Sequence, residues 1–158
     1  MTLAESEADT LEKTVVEDFL TAGSNLRTNP VVLNKCSALL SSRIAVTAQT
    51  IVGLYEDGIP LATCLAINLG YPLAYFREPK QHGTIQQIEG EIAGRELLLL
   101  RDPFTSPDQI LLAIQALEQV GRITAIWSIW KSWSFRESRL NLIDYALFDL
   151  NAWDGQGL

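Results

Sequence analysis

The sequence predicts an α/β domain with a largely parallel sheet flanked by helices. Three observations predict it. After Ala45 short apolar runs alternate with helical stretches, the texture of strand, crossover helix and strand. Two of those helical stretches close on a glycine, Gly70 with Pro72 behind it, and Gly121. The run Ile123 to Trp130 is apolar on both faces, with Ala125, Trp127 and Ile129 on one and Ile126 and Trp130 on the other, as suits a strand buried between helix layers.

Taken in chain order, residues 6–20 place Leu11, Val15, Val16, Phe19 and Leu20 at three- and four-residue spacing with acids between them, an amphipathic helix. Asn29 as N-cap and Pro30 at the first helical position announce a second helix through Val32, Leu33, Cys36, Leu39 and Leu40. Strands are expected at 50–55, 72–76, 96–100 and 123–130, with helices at 59–69 and 106–120 as right-handed crossovers. Residues 77–95 are polar and hold Pro79, Gly83, Gly90 and Gly94, which reads as a loop followed by a hairpin arm turning near Ala93 and Gly94. Residues 140–150 return as a last strand or a short helix. The organisation is therefore one domain, with N-terminal helices over 1–44, a core over 45–135 and a tail over 151–158.

Composition narrows the partners. With 12 Lys and Arg against 19 Asp and Glu the net charge is -7, and no basic stripe overrides it, so neither nucleic acid nor an anionic membrane is expected to bind. Glu5, Glu7 and Asp9 stand where a signal peptide needs positive charge, and no apolar run approaches the roughly 20 residues that span a bilayer. A cytoplasmic protein is expected. Cys36 and Cys64 are isolated and there is one histidine, so no structural zinc set exists and both thiols read as reduced core residues.

Three segments carry chemistry. They are Tyr55-Glu-Asp-Gly-Ile-Pro-Leu-Ala62, then Tyr75-Phe-Arg-Glu-Pro-Lys-Gln-His-Gly83 with Ile88-Glu-Gly90, then Glu96-Leu-Leu-Leu-Leu-Arg-Asp-Pro-Phe-Thr-Ser106. In this order and spacing they resemble orotate phosphoribosyltransferases and the type I phosphoribosyltransferase family around them, over about half the chain. The resemblance implies an enzyme that joins a nucleobase to phosphoribosyl pyrophosphate (PRPP), with magnesium, by displacing pyrophosphate. It also implies a homodimer. In such enzymes two acids after a strand hold the ribose hydroxyls, and a glycine loop entering a helix offers backbone N–H groups and a positive dipole end to the 5-phosphate.

Here the matching stretch departs from that pattern. Arg101 replaces the first acid, Pro107 and Asp108 replace the two glycines and Gln109 the closing hydroxyl, while Asp102, Thr105 and Ser106 are kept. Pro107 has no N–H to donate, and a carboxylate about 4 Å from a phosphate is repelled by roughly 4 kcal/mol at an effective dielectric of 20. Ser106, Pro107, Asp108 and Gln109 instead spell a capping box for the next helix. Asp57 stands before Gly58-Ile-Pro60 where the family has a lysine, a second charge reversal. The family's basic loop over the pyrophosphate is matched by Arg77, Lys80 and His82, with Phe76 in place of its first basic residue. No hood element typical of orotate enzymes is found between Thr21 and Ala48, and typical members are longer.

Two readings follow from this resemblance. In the first, the chain is a phosphoribosyltransferase-like protein of nucleotide metabolism that has lost catalysis, a pseudoenzyme with a binding, regulatory or assembly role and no cofactor; Arg77, Thr105 and Ser106 would form a residual anion site. In the second, it is an active orotate-type enzyme taking magnesium with PRPP, in which Asp102 serves the ribose and Lys80 and His82 the leaving pyrophosphate. No metal ligands of its own are expected in either. A third reading is a protein-interaction module working through Trp133 and Phe135, beyond the Trp-rich strand, and the tail.

Overall fold

The computed structural model describes residues 10, 13–14, 28–44, 48–79, 86–102, 105–130 and 144–148. Of the predicted first helix only Thr10, Lys13 and Thr14 fall among them; all three are helical, and the Thr14 hydroxyl donates to the Thr10 carbonyl at 2.8 Å. Helix α1 runs Pro30–Arg43. Its start is the one the sequence announces, for the Asn29 side chain accepts from the amides of Val31 (3.1 Å) and Val32 (3.3 Å). Then follow β1 (Thr50–Leu54), α2 (Tyr55–Leu69), β2 (Leu73–Phe76), β3 (Ile88–Glu89), β4 (Glu96–Leu100), α3 (Pro107–Glu118), β5 (Arg122–Trp130) and β6 (Asp144–Phe148). The open choice at 140–150 resolves as a strand.

The six strands form one sheet in the order β3-β2-β1-β4-β5-β6, parallel except for β3, which pairs antiparallel with β2. This is the predicted α/β architecture, but the hairpin differs from the expected one: β3 pairs back onto β2, and the stretch through Ala93 and Gly94 is instead the connection from β3 to β4, which are not neighbours in the sheet. Gly90 at φ 108 and Gly94 at φ 68 make its turns, which L side chains resist. Because successive strand residues point to opposite faces, the sheet divides the core in two. Ile51, Leu98, Leu100, Trp127 and Ile129 pack under α1 and α2, while Val52, Leu54, Leu97, Leu99 and Ile126 pack under α3. Helices α1 and α2 are further joined by a bond from Asn68 Nδ2 to Ser37 Oγ at 2.7 Å.

Two boundaries differ from expectation for reasons the fold supplies. Helix α2 begins at Tyr55, four residues before the predicted Ile59, because Tyr55 takes the left-handed conformation (φ 57) and turns the chain sharply out of β1. In β5 a bulge between Leu97 and Leu98 of its partner pairs Ile123 with Leu97 and Ala125 with Leu98. Strict alternation would put Ile123 on the face of Ala125; the bulge moves it to the α3 face with Ile126. Cys36 is buried and Cys64 half-buried, neither in a disulfide. Among the described residues no helix is long and apolar enough to cross a membrane.

Candidate functional site

The sheet winds outward from β1 to β2, then resumes on the other side of β1 at β4. Ligands of open α/β sheets sit outside the carboxyl ends of the strands at such a switch point, where the helices that follow leave for opposite faces. The β1–α2 turn and the β4–α3 loop meet there. A Cβ on Gly58 would lie 2.7 Å from the Leu100 carbonyl oxygen and 3.6 Å from Arg101 Cα, so only glycine permits the approach.

Of the residues expected at this site, Asp102, Thr105 and Ser106 are brought together in the β4–α3 loop. Asp102 and Thr105 are buried, and the Thr105 amide donates to the Asp102 carbonyl at 3.1 Å. Ser106 is the N-cap of α3, and the expected capping box is present. Its Oγ accepts from the Gln109 amide at 3.3 Å and its own amide donates to Gln109 Oε1 at 3.1 Å. Arg101, the replacement for the first acid, is 1% exposed, its guanidinium directed to the Asp102 carbonyl at 3.4 Å and its amide to the Trp127 carbonyl at 3.0 Å. It is part of the core at the strand ends rather than a surface charge. Glu56 and Asp57 are exposed in the first turn of α2, where acids favour the positive end of the helix dipole.

Arg77 is engaged at the edge of the sheet. Just past β2, it pairs with Glu89 of β3, Nε to Oε1 at 3.1 Å, and its guanidinium carbon sits 5.6 Å from the centre of the Tyr75 ring. It straps the arm to the sheet edge. Lys80, His82, Trp133 and Phe135 lie outside the described residues. The described residues contain no group of three His, Cys, Asp or Glu side chains able to hold a metal ion.

Two further residues, Glu78 and Tyr55, join the site through Gln109. Glu78, beyond β2, accepts from Gln109 Nε2 at 2.6 Å, and the Tyr55 hydroxyl donates to the Gln109 carbonyl at 2.6 Å. Gln109 was readable as the partner of Ser106 in the cap, but its links to Tyr55 and Glu78 span 54 and 31 residues and have no local signal. Tyr55, Glu78, Gln87, Gln109, Leu112 and Gln115 line a cleft of about 610 Å³, within the usual size of small-molecule sites.

Burial, and after it the Glu78 carboxylate, push the Tyr55 phenol up to about 12. An unfolded tyrosine titrates near 10. The folded state therefore holds this proton more tightly, its stabilisation is complete below about pH 10 and is lost as the pH rises towards about 12. Over that window the thermal midpoint of the native protein is expected to fall more steeply than that of Tyr55→Phe. Parallel slopes in the two proteins would refute this.

No family model matches the sequence. Over 77 residues it is 44% identical to an orotate phosphoribosyltransferase of Pyrobaculum islandicum, which covers 48% of this chain and 40% of that one. Over 101 residues it is 35% identical to an orotate phosphoribosyltransferase of Thermococcus kodakarensis, covering 61% and 55%. The chain spans about half the length of the curated relatives it matches. Among solved structures, the orotate phosphoribosyltransferase of Mycobacterium tuberculosis in complex with PRPP superposes with a TM-score of 0.71 at 17% identity, over 92% of this chain and 90% of that one. Sequence and fold agree: the chain is similar to orotate phosphoribosyltransferases over about half of its own length and has the type I phosphoribosyltransferase fold.

Proposed function

We propose that the chain carries out orotate-type phosphoribosyl transfer, joining a nucleobase to the ribose 5-phosphate of PRPP with release of pyrophosphate. The observation that carries this reading is the 44% identity to a relative named as that enzyme. Asp102 would hold the ribose, and Lys80 and His82 would neutralise the departing pyrophosphate, the place where electrostatic catalysis acts. Arg77, bound to Glu89, would have to leave its partner to join them. Magnesium would enter with PRPP. A cytoplasmic homodimer completes the proposal.

One observation favours a second reading, a binding or regulatory protein without transfer. The capping box engages the amides of Ser106 and Gln109, the Thr105 amide is bonded to Asp102, and Pro107 has none, so the β4–α3 loop fits its own side chains better than it fits a 5-phosphate. The expectation of lost catalysis finds no support in the relatives, which bear the enzyme's name.

Calorimetric titration with PRPP and magnesium separates the two. Transfer requires saturable binding with a Kd below about 100 μM, near -5.5 kcal/mol. That affinity, with turnover of at least one nucleobase that falls in Lys80→Ala, is the expected result. Silence with PRPP would remove the enzyme reading and leave the second.

A further inference from the structure

Gln109 reaches three other places in the chain through four hydrogen bonds. Its Nε2 donates to Glu78 beyond β2, its Oε1 accepts from the Ser106 amide, its own amide donates to Ser106 Oγ, and its carbonyl accepts from the hydroxyl of Tyr55 at the head of α2. One residue thus ties together the segments that follow β1, β2 and β4. We propose that Gln109 is a positioning residue: with Glu78 it clamps the end of β2 to the start of α3, setting the spacing of the strand ends around the candidate site. The consequence for PRPP rests on the function proposed above; the clamp itself does not.

The cap alone does not explain glutamine here. Glutamate serves the third position of a capping box equally well, since an oxygen is all the N-cap amide needs. Glu78 is what makes the difference. A glutamine amide donates to its carboxylate, a bond strengthened by the charge on the acceptor, whereas a glutamate would oppose it with like charge. The Tyr55 bond uses the backbone carbonyl and survives any side-chain change at this position.

These differences define a charge-exchange cycle in the full chain: Gln109→Glu, Glu78→Gln and the two together. Every variant keeps the cap, so loss of helix capping cannot imitate loss of the clamp. PRPP affinity with magnesium is read by calorimetry at pH 7.5, alongside the thermal midpoint. Gln109→Glu is expected to weaken PRPP about fivefold and lower the midpoint. Glu78→Gln, whose side-chain carbonyl still accepts, is expected to lose less than Gln109→Glu in both affinity and midpoint. The double variant, with donor and acceptor exchanged, should return to within about twofold. Native-like affinity in Gln109→Glu, or no recovery in the double variant, would overturn the proposal. If the native chain binds no PRPP, the enzyme reading falls by itself and the midpoints decide the clamp: the same loss and recovery support it, and independent effects overturn it.

Discussion

Gly58→Val is expected to cost about 3 kcal/mol or more, measured by urea unfolding, and to lower the thermal midpoint by roughly 6 to 12 °C for a chain of this size. The Cβ would meet the Leu100 carbonyl oxygen at 2.7 Å. That oxygen has little freedom to move. Leu100 lies opposite Gly53 of β1 on one side and Trp127 of β5 on the other, so a shift would disturb the centre of the sheet. Helix α2 must back away instead, from a sheet it approaches so closely that a Cβ on Gly53 would also lie 2.9 Å from Ile59 Cα. In Gly58→Ala the gain of about 1 kcal/mol in helix propensity offsets part of the clash, leaving a smaller loss. Valine adds two methyl groups and, being β-branched, brings less of that relief. If Gly58→Val unfolds within 1 kcal/mol of the native protein, the approach of the β1–α2 turn to the β4–α3 loop is not needed for the fold.

Features set by neighbours in the sequence were legible, and those set by distant ones were not. Asn29 with Pro30, Ser106 with Gln109, and Gly70 in the left-handed conformation at φ 70 mark helix ends within a few residues, and each holds in the structure. The start of α2 was misplaced because Tyr55 has the β-propensity to continue β1. Its left-handed turn depends on burial beside Phe76 and on a bond to Gln109 far along the chain. The bulge opposite Leu97 escaped for a similar reason. Thr124 is held there by its hydroxyl donating to the Leu97 carbonyl, a cross-strand bond with no trace in a period-two pattern.

The candidate site divides in the same way. Asp102, Thr105 and Ser106 were singled out by order and spacing against a motif, and the loop that carries them lies at a switch point of the sheet. Arg101 was read as a reversed charge. Its burial adds a different constraint, because removing a buried charge's partners is far costlier than changing a surface one. Glu78 was passed over inside a polar run. Its carboxylate finds a partner 31 residues away, in Gln109 at the start of α3.

Phe76→Ala is expected to destabilise the chain by about 3 to 5 kcal/mol, the cost of a large cavity in a packed core. Against the family pattern this position reads as a missing basic residue of the pyrophosphate loop. In the structure it is the last residue of β2, wholly buried among Val52, Leu54, Leu97, Leu99 and Ile110 under α3. A lysine or arginine there would bury an unpaired charge, so the departure is one the core of this chain demands. The ring also stands edge-on to Tyr55, centres 5.5 Å apart at 86°, an arrangement worth about 0.5 to 1.5 kcal/mol beyond area burial. Removing it opens the Tyr55 phenol to water, and the same desolvation that holds its titration at about 12 is then relieved. Spectrophotometric titration of Phe76→Ala should therefore show one tyrosine moving down towards 10, which Phe76→Leu, keeping most of the volume, should largely prevent. A stable Phe76→Ala protein with that tyrosine unmoved would mean the ring neither fills the core under α3 nor shields the turn that opens the candidate site.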